Sequence, residues 1–295
     1  MNTYIKEFRL LKEKQETDFI VHQNRTCYNG IYPYNIFPLK GIRDIHFDPI
    51  TIFYGGNGSG KTTLLNIIAE KAHVIRHSVF NSGVFFDEYV EDCTIYPEKI
   101  PGNSQILTSD DVFDYVLNIR SLNNGLDIHR EDLFKEFHAR YNSGPNYLRS
   151  LDDYDDWKET CDAQKLSGSQ FVRERLMRNV DLFSNGESAM RYFVEHIREN
   201  AVYLLDEPEN SLSIGLQKEL SKYIADSARY YGCQFIIATH SPVLLSLQDA
   251  LIYDLDEVPV CTKKWTELEN VKAYFAFFEE HRNEFVSQEN IEGEA

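Results

Sequence analysis

Tryptophan occurs twice, methionine three times and cysteine five times in 295 residues. The cysteines, Cys27, Cys93, Cys161, Cys233 and Cys261, are odd in number and include no CxxC pair. That spacing fits neither a zinc site nor a disulfide framework and suits reduced thiols. Long apolar runs are also missing. No stretch approaches the roughly 18 apolar residues of a membrane span. The N-terminus, MNTYIKEFRLLKEKQ, mixes charges into every turn where a signal peptide needs an apolar core. A cytoplasmic protein with no direct membrane insertion is expected. Positive charge is scarce as well: Lys and Arg total 30 against 47 Asp and Glu, a net charge of −17. Such a surface repels polyanions on average. Nucleic-acid binding therefore rests on one modest cluster, Lys6, Arg9, Lys12 and Lys14, which a solvated strand face explains more simply.

Hydrophobic residues make up 42% and aromatics 13%, enough for a sizeable core. Apolar runs bounded by turn residues predict buried strands at Ile50–Tyr54, Val202–Leu205, Phe235–Ala238 and Leu251–Leu255. Between the middle pair, Leu216, Leu220, Tyr223, Ile224 and Ala228 recur at helical spacing. Strand, helix, strand in this order predicts an α/β fold with a mostly parallel sheet flanked by helices. Residues 110–180 read differently. They are rich in charge, with helical patterns at Asp111–Arg120 and Glu131–Tyr141 broken by the acidic stretch LDDYDDWKE at 151–159. One domain is expected, with an α/β core at 1–105 and 184–262, N-terminal antiparallel strands, an inserted helical subdomain at 106–183 and a C-terminal helical extension at 263–295.

The stretch GGNGSGKT, residues 55–62, follows the strand ITIFY and precedes the helical pattern TTLLNIIAEKA. Strand, G-x-x-x-x-G-K-T and helix together form a phosphate loop. Backbone N–H groups of Gly55, Gly56, Asn57, Gly58, Ser59 and Gly60 are placed to make an anion nest, backed by the positive end of the helix. Lys61 is expected on the β- and γ-phosphates, with Thr62 on Mg²⁺ and Thr63 beside them. The cofactors implied are ATP and Mg²⁺.

AVYLLDEPEN, residues 201–210, runs an apolar strand into paired acids. Strand ends in α/β sheets face the ligand crevice. Asp206 is expected to hold Mg²⁺ from there, and Glu207 to orient or deprotonate an attacking water.

Just before this strand stands LFSNGESAMRYFVEHI, residues 182–197. A serine hydroxyl and free N–H groups at a helix start make a second anion site. Ser184, Gly186 and Glu187 resemble the signature motif of ATP-binding-cassette (ABC) ATPases, with Asn185 replacing the first glycine. Gln105 resembles the Q-loop glutamine that contacts Mg²⁺ and the attacking water. ENSL, residues 209–212, sits at the D-loop position without its usual aspartate, leaving Ser211 as a cross-subunit contact. IIATHSP places His240 after a strand, as the switch histidine on the γ-phosphate. Tyr32, Tyr34 and Phe37 stand where the family often has an aromatic on adenine. The spellings DEPENSL and ATHSPVLLS resemble the soluble branch that includes SMC-type, RecF-like and overcoming-lysogenization-defect ATPases more than transporter subunits.

The resemblance implies that two copies face each other head to tail and sandwich two ATP molecules. Lys61 and Thr62 of one copy and Ser184, Asn185, Gly186 and Glu187 of the other touch each nucleotide. Asp206, Thr62 and Gln105 are expected to place Mg²⁺; Glu207, His240 and Lys61 are the expected catalytic residues. The resulting ATP hydrolase would switch an effector protein or nucleic-acid complex, in DNA maintenance or phage defence. The alternatives are a transporter's ATP-binding subunit and an ATP-gated dimerisation module with incidental hydrolysis.

Overall fold

The structure, a computed structural model, describes residues 2–25, 27–28, 30–143, 150, 153–180 and 184–289. In chain order, β1 (Glu7–Arg9), α1 (Glu13–His22), β2 (Asp44–His46), β3 (Ile50–Tyr54), α2 (Lys61–Lys71), α3 (Phe86–Asp92), β4 (Thr94–Tyr96) and β5 (Gln105–Thr108) come first. The helices α4 (Ser109–Tyr141), α5 (Tyr154–Lys165) and α6 (Gly168–Arg175) follow. The chain then runs through α7 (Asn185–His196), β6 (Val202–Asp206), α8 (Ile214–Tyr230), β7 (Gln234–Ala238), α9 (Pro242–Leu245), β8 (Leu251–Asp254), β9 (Cys261–Thr262), α10 (Glu269–Glu280) and α11 (Arg282–Glu289). It divides into one unit of residues 1–112 and 185–295 and a second of residues 113–184.

The first unit is built on a six-stranded sheet of order β5-β6-β7-β3-β8-β9. Its first five strands are parallel, and β9 closes the edge antiparallel to β8. Strands covered on both faces need apolar residues at successive positions. ITIFY and QFIIA are accordingly buried throughout, and VYLLD is buried up to its terminal aspartate. Parallel register brings the strand ends to one edge: Thr108 pairs with Asp206, Asp206 with Ala238, and Ala238 with Phe53. Helices α2 and α8 lay apolar faces against this unit's core. In α8, Leu220, Ile224 and Ala228 are wholly buried at four-residue spacing.

A three-stranded antiparallel sheet of order β2-β1-β4 completes the unit. Phe8 of β1 is buried, while Arg9 points out and pairs with Glu7 at 2.6 Å and Asp44 at 3.4 Å. Those carboxylates offset the most central cation of the N-terminal basic cluster. Gln234, wholly buried at the start of β7, joins the N-terminal segment to the main sheet. Its Oε1 accepts from Tyr4 N and Ile5 N, both at 2.8 Å, and its amide donates to Ile5 O at 2.7 Å.

The second unit packs a small core of Phe137, Ala163 and Phe171. Arg175 stacks 3.8 Å over the Phe171 ring and pairs with Asp162 at 3.1 Å. The structure differs from the expectations at three points. The patterns at Asp111–Arg120 and Glu131–Tyr141 are parts of one 33-residue helix, α4. In the intervening SLNNG, Asn123 is buried, accepting from Val180 N and donating to Val180 O at 2.9 Å each. Its amide is thereby kept from competing with the helix backbone. The acidic stretch does not interrupt the helices beyond its start: from Tyr154 it is α5, with Asp155 and Asp156 in the first turn, where the helix dipole favours them. Its first two residues lie outside the described ones. Residues 106–108 form β5, and Asp111 accepts from Thr108 N and Oγ1 at 2.8 Å, so the first unit extends through Val112 rather than ending at 105. The polar tail past 289 lies outside the described residues. Among the described residues no helix is long and apolar enough to cross a membrane.

Candidate functional site

The phosphate loop leaves β3 at Tyr54 and enters α2 at Lys61. Two glycines are required by its shape. A Cβ on Gly55 would lie 2.5 Å from Ser59 Oγ, and Gly60 has φ of +93°, which side chains disfavour. Gly56, Asn57 and Gly58 are exposed at the loop crest, and Ser59 is buried. Lys61 is only 5% exposed and folds back on its own loop, donating to Gly55 O at 2.8 Å and Gly56 O at 3.0 Å.

The edge formed by the strand ends brings the acids to this loop. Thr62 Oγ1 donates to Asp206 Oδ1 at 3.0 Å. Burial pushes the Asp206 carboxyl up to about 6, against the pull of the Thr62 hydroxyl. Glu207 Oε1 lies 3.8 Å from Lys61 Nζ and 3.9 Å from His240 Nδ1. Glu207 holds a left-handed φ of +47°, fixed by its N–H on Ala238 O at 2.9 Å. Ser211 is left-handed too, at +72°. Non-glycine residues in this region carry strain that gathers at functional sites. Lys61, Thr62, Asp206, Glu207 and His240 thus meet at one place.

A cavity of about 550 Å³ opens beside Thr62, Thr63 and Asp206. Tyr32, which lines it, donates to Thr63 Oγ1 at 3.1 Å. Tyr34 and Phe37 are instead core residues, 3% and 0% exposed, with Tyr34 stacked on Phe19 at 4.4 Å. Of the three aromatics considered for adenine, Tyr32 alone lines the cavity.

Gln105 does not reach this place. It opens β5 and pairs with Tyr203, three residues before the Thr108–Asp206 pair. At strand rise that is about 10 Å from the sheet edge. Ser109 and Asp110, following the end of β5, line the cavity where the glutamine was expected. The assignment to a lone Gln failed because a four-residue strand offers no mark of which end faces the ligand.

Ser184, Asn185 and Glu187 are exposed at the start of α7, whose first helical residue is Asn185; residues 182–183 lie outside the described ones. Gly186 is needed for close approach: a Cβ there would lie 2.7 Å from Leu216 Cδ1 and 3.2 Å from Ser211 O. Gly186 is therefore packed against Ser211 and Leu216.

Three residues of the site escaped the sequence. Glu209, 7% exposed, accepts from Thr239 Oγ1 at 2.6 Å and His240 N at 3.0 Å, fixing the switch loop. Its position in DEPE, one residue past the proline, was the available signal. Asp256 Oδ2 accepts the Gly56 N–H at 2.8 Å. Arg76 lines the cavity, stacked 4.2 Å over Phe80 and bonded to Asn66 Oδ1 at 2.7 Å.

These residues fit a nucleotide with Mg²⁺. A hydroxyl and a carboxylate are the hard oxygen donors that Mg²⁺ takes alongside phosphate and water. Ser59 Oγ and Arg76 Nη1 are buried polar atoms with no hydrogen-bond partner, as an anion contact would leave them.

A family profile described as "AAA domain, putative AbiEii toxin, Type IV TA system" matches residues 129–246. That stretch contains the signature, Asp206, Glu207 and His240, and excludes the phosphate loop. Profile and loop are thus separate signs of one class. The chain resembles the ABC-class P-loop ATPases of the SMC and RecF type. Among solved structures it is similar to the Smc head domain with an extended coiled coil bound to the C-terminal domain of ScpA, from Pyrococcus furiosus. That match is 14% identical and covers 95% of this chain and 99% of the other, with a TM-score of 0.41. A second Smc head, bound to the C-winged helix domain of ScpA, is 15% identical over 92% and 100% of the two chains, with a TM-score of 0.42. cbiO1 from Clostridium perfringens, part of the ABC transporter complex cbiONQ, is 17% identical over 97% and 99%, with a TM-score of 0.40. No curated protein matches the chain.

Proposed function

We propose that the protein is an ATP-hydrolysing switch that works as a head-to-tail pair of copies. The observation that carries this reading is the meeting of Lys61, Thr62, Asp206, Glu207 and His240 at one edge of the sheet. ATP with Mg²⁺ would supply the γ-phosphoryl group, which passes to water as inorganic phosphate while ADP leaves. The loop amides and Lys61 bind the phosphates, for which Lys61 exchanges its two carbonyl bonds. Thr62 Oγ1 and Asp206 Oδ1 hold the cation. Glu207 Oε1 takes a proton from water, and Lys61 and His240 beside it keep the carboxylate in place. Arg76 adds positive charge from the cavity wall.

Ser184 to Glu187 are read as the contact a second copy offers to the same nucleotide. The exposure of Ser184, Asn185 and Glu187 at the start of α7 supports that reading. The pair would close with ATP and open after turnover, moving an effector protein. Phage defence or DNA maintenance suits the profile match. Nucleic acid is the weaker choice of partner, given the net charge of −17 and the paired Arg9.

Light scattering on the Glu207→Gln chain tests this. A dimer that forms with Mg·ATP and dissolves on adding Ser184→Arg is expected. A monomer under all conditions refutes it.

A further inference from the structure

The first turn of α10 is wired to the candidate site. Asn270 N donates to the Tyr54 hydroxyl at 3.1 Å, and the Asn270 side-chain amide donates to His240 O at 3.2 Å. Tyr54 feeds the phosphate loop, and His240 follows β7. Past the buried Val271, every residue from 272 to 280 is exposed. Four of them are aromatic: Tyr274, Phe275, Phe277 and Phe278, at 47, 68, 54 and 54% exposure. A 12-residue helix is marginal in water unless a face is packed. This one buries only Val271 of its first turn; beyond it, Phe277 and Phe278 touch only His281 and Phe285 of the following segment at 4.7 and 6.3 Å and stay exposed. Contiguous exposed aromatics mark an interaction site. Tyr274 and Phe275 also wall a groove of about 490 Å³ with Pro242, Trp265, Val271 and Lys272. Pro242 begins α9, two residues beyond His240.

Charge selects the occupant. Glu269, Glu279, Glu280 and Glu284 share the aromatics' chain segment, against Lys272 and Arg282. Arg282 pairs with Glu279 at 3.4 Å and His281 meets Glu284 at 2.8 Å, which leaves Glu269 and Glu280 without an ion-pair partner among the described residues. A second copy would bring the same acidic segment to this face. We propose that α10 docks a protein partner presenting an apolar helix face rimmed by Lys and Arg, and that Asn270 couples this docking to the nucleotide site. The coupling rests on the reading of that site given above. It is reciprocal: what ATP does to the partner's affinity, the partner does to ATP's.

The test uses the full chain and two labelled amphipathic peptides of roughly five helical turns, one Leu/Lys and one Leu/Glu, followed by fluorescence anisotropy. The Leu/Lys peptide is expected to bind, and Phe275→Ser with Phe278→Ser to weaken it at least about tenfold. Both residues are exposed, so the core is untouched. Glu279→Lys with Glu280→Lys keeps the aromatics and is expected to move the preference to the Leu/Glu peptide. Mg·ATP is expected to shift the Leu/Lys affinity in the wild-type chain and not in Asn270→Ala. Docking is overturned if neither peptide binds, if the serine variant binds equally well, or if the aromatics instead drive self-association or binding to anionic vesicles. Coupling is overturned if ATP binds and the peptide affinity does not move. A chain that binds the peptide and no ATP refutes the proposed function and leaves docking standing.

Discussion

Thr62 Oγ1 donates to Asp206 Oδ1 across 3.0 Å, tying the first turn of α2 to the end of β6. Neither residue is near the other in sequence. The contact exists because β3 and β6, each beside β7, end at the same edge. It is also where a cation would enter. Asp206 sits at about 6 because burial disfavours its charge. Protons and Mg²⁺ therefore compete for it. Mg²⁺-dependent nucleotide affinity is expected to be flat above pH 7 and to fall as pH drops through about 6. Asp206→Asn should lose that dependence together with most of the Mg²⁺ affinity. Titration calorimetry at several pH values checks both.

The Glu207 backbone is fixed by its N–H on Ala238 O at 2.9 Å, and its carboxylate accepts from the Asn210 amide at 3.2 Å, a bond that a glutamine oxygen can also accept. Glu207→Gln is expected to lower turnover by about a hundred- to ten-thousandfold, the range of a lost general base, with nucleotide affinity kept. Steady-state phosphate release and equilibrium binding on the same sample separate the two effects. Loss of affinity equal to loss of rate would put Glu207 in binding instead.

Much of this site was legible because the required residues are contiguous. GGNGSGKT carries the whole cradle, and VYLLDE carries strand and acids together, so apolar runs and glycine spacing were enough. What the sequence hid depends on contacts between distant segments. Arg76 points into the cavity because Asn66 and Phe80 hold it there. Asp256 meets Gly56 across 200 residues of chain. Gln105 misled because its residue type fitted while its register did not. The two helical patterns join into the single α4 through Asn123, whose tertiary partner no local rule reveals.

Arg76 lines the cavity with Asp206 and has a buried Nη1 without a hydrogen-bond partner. Burial lowers its pKa, opposed by Glu70 and by Asp111 and Asp206. A phosphate oxygen would complete its bonding. Arg76→Ala is expected to weaken ATP binding by roughly 10- to 100-fold, the worth of one charge-assisted bond. Arg76→Lys should recover only part, since the ammonium lacks the planar fork that stacks on Phe80. Equal ADP and ATP affinities in all three chains would place Arg76 away from the terminal phosphate.

Glu209 supplies a further check on the switch loop. It accepts from Thr239 and from His240 N, and its Oε2 has no hydrogen-bond partner. Removing the carboxylate leaves two buried donors unpaired, at about 1–3 kcal/mol each. Glu209→Ala should lower both the melting temperature and the turnover. Glu209→Gln keeps one acceptor oxygen on Thr239 and His240, and should restore the melting temperature and most of the turnover. If the glutamine variant melts like wild type and remains inactive, the charge itself acts in the site.

Glu16 is a wholly buried carboxylate among the aromatic side chains of the core, far in sequence from the acids of the site. It accepts from Asn35 N at 2.6 Å and from the Tyr89 hydroxyl at 3.0 Å. Burial still outweighs those bonds and raises its pKa above 4.5. The folded state then holds a proton that the unfolded state has released, so this group's contribution to stability falls as pH rises through the window above 4.5. At neutral pH the charge is carried at a cost. Glu16→Gln removes the charge and keeps an acceptor for Asn35, with Tyr89 able to accept from the new amide. The variant should therefore melt higher than wild type at pH 8, with the difference shrinking toward pH 4.5. Thermal unfolding followed by circular dichroism across that range decides it, and a difference that grows as pH falls would show that the two hydrogen bonds hold the carboxylate better than burial opposes it.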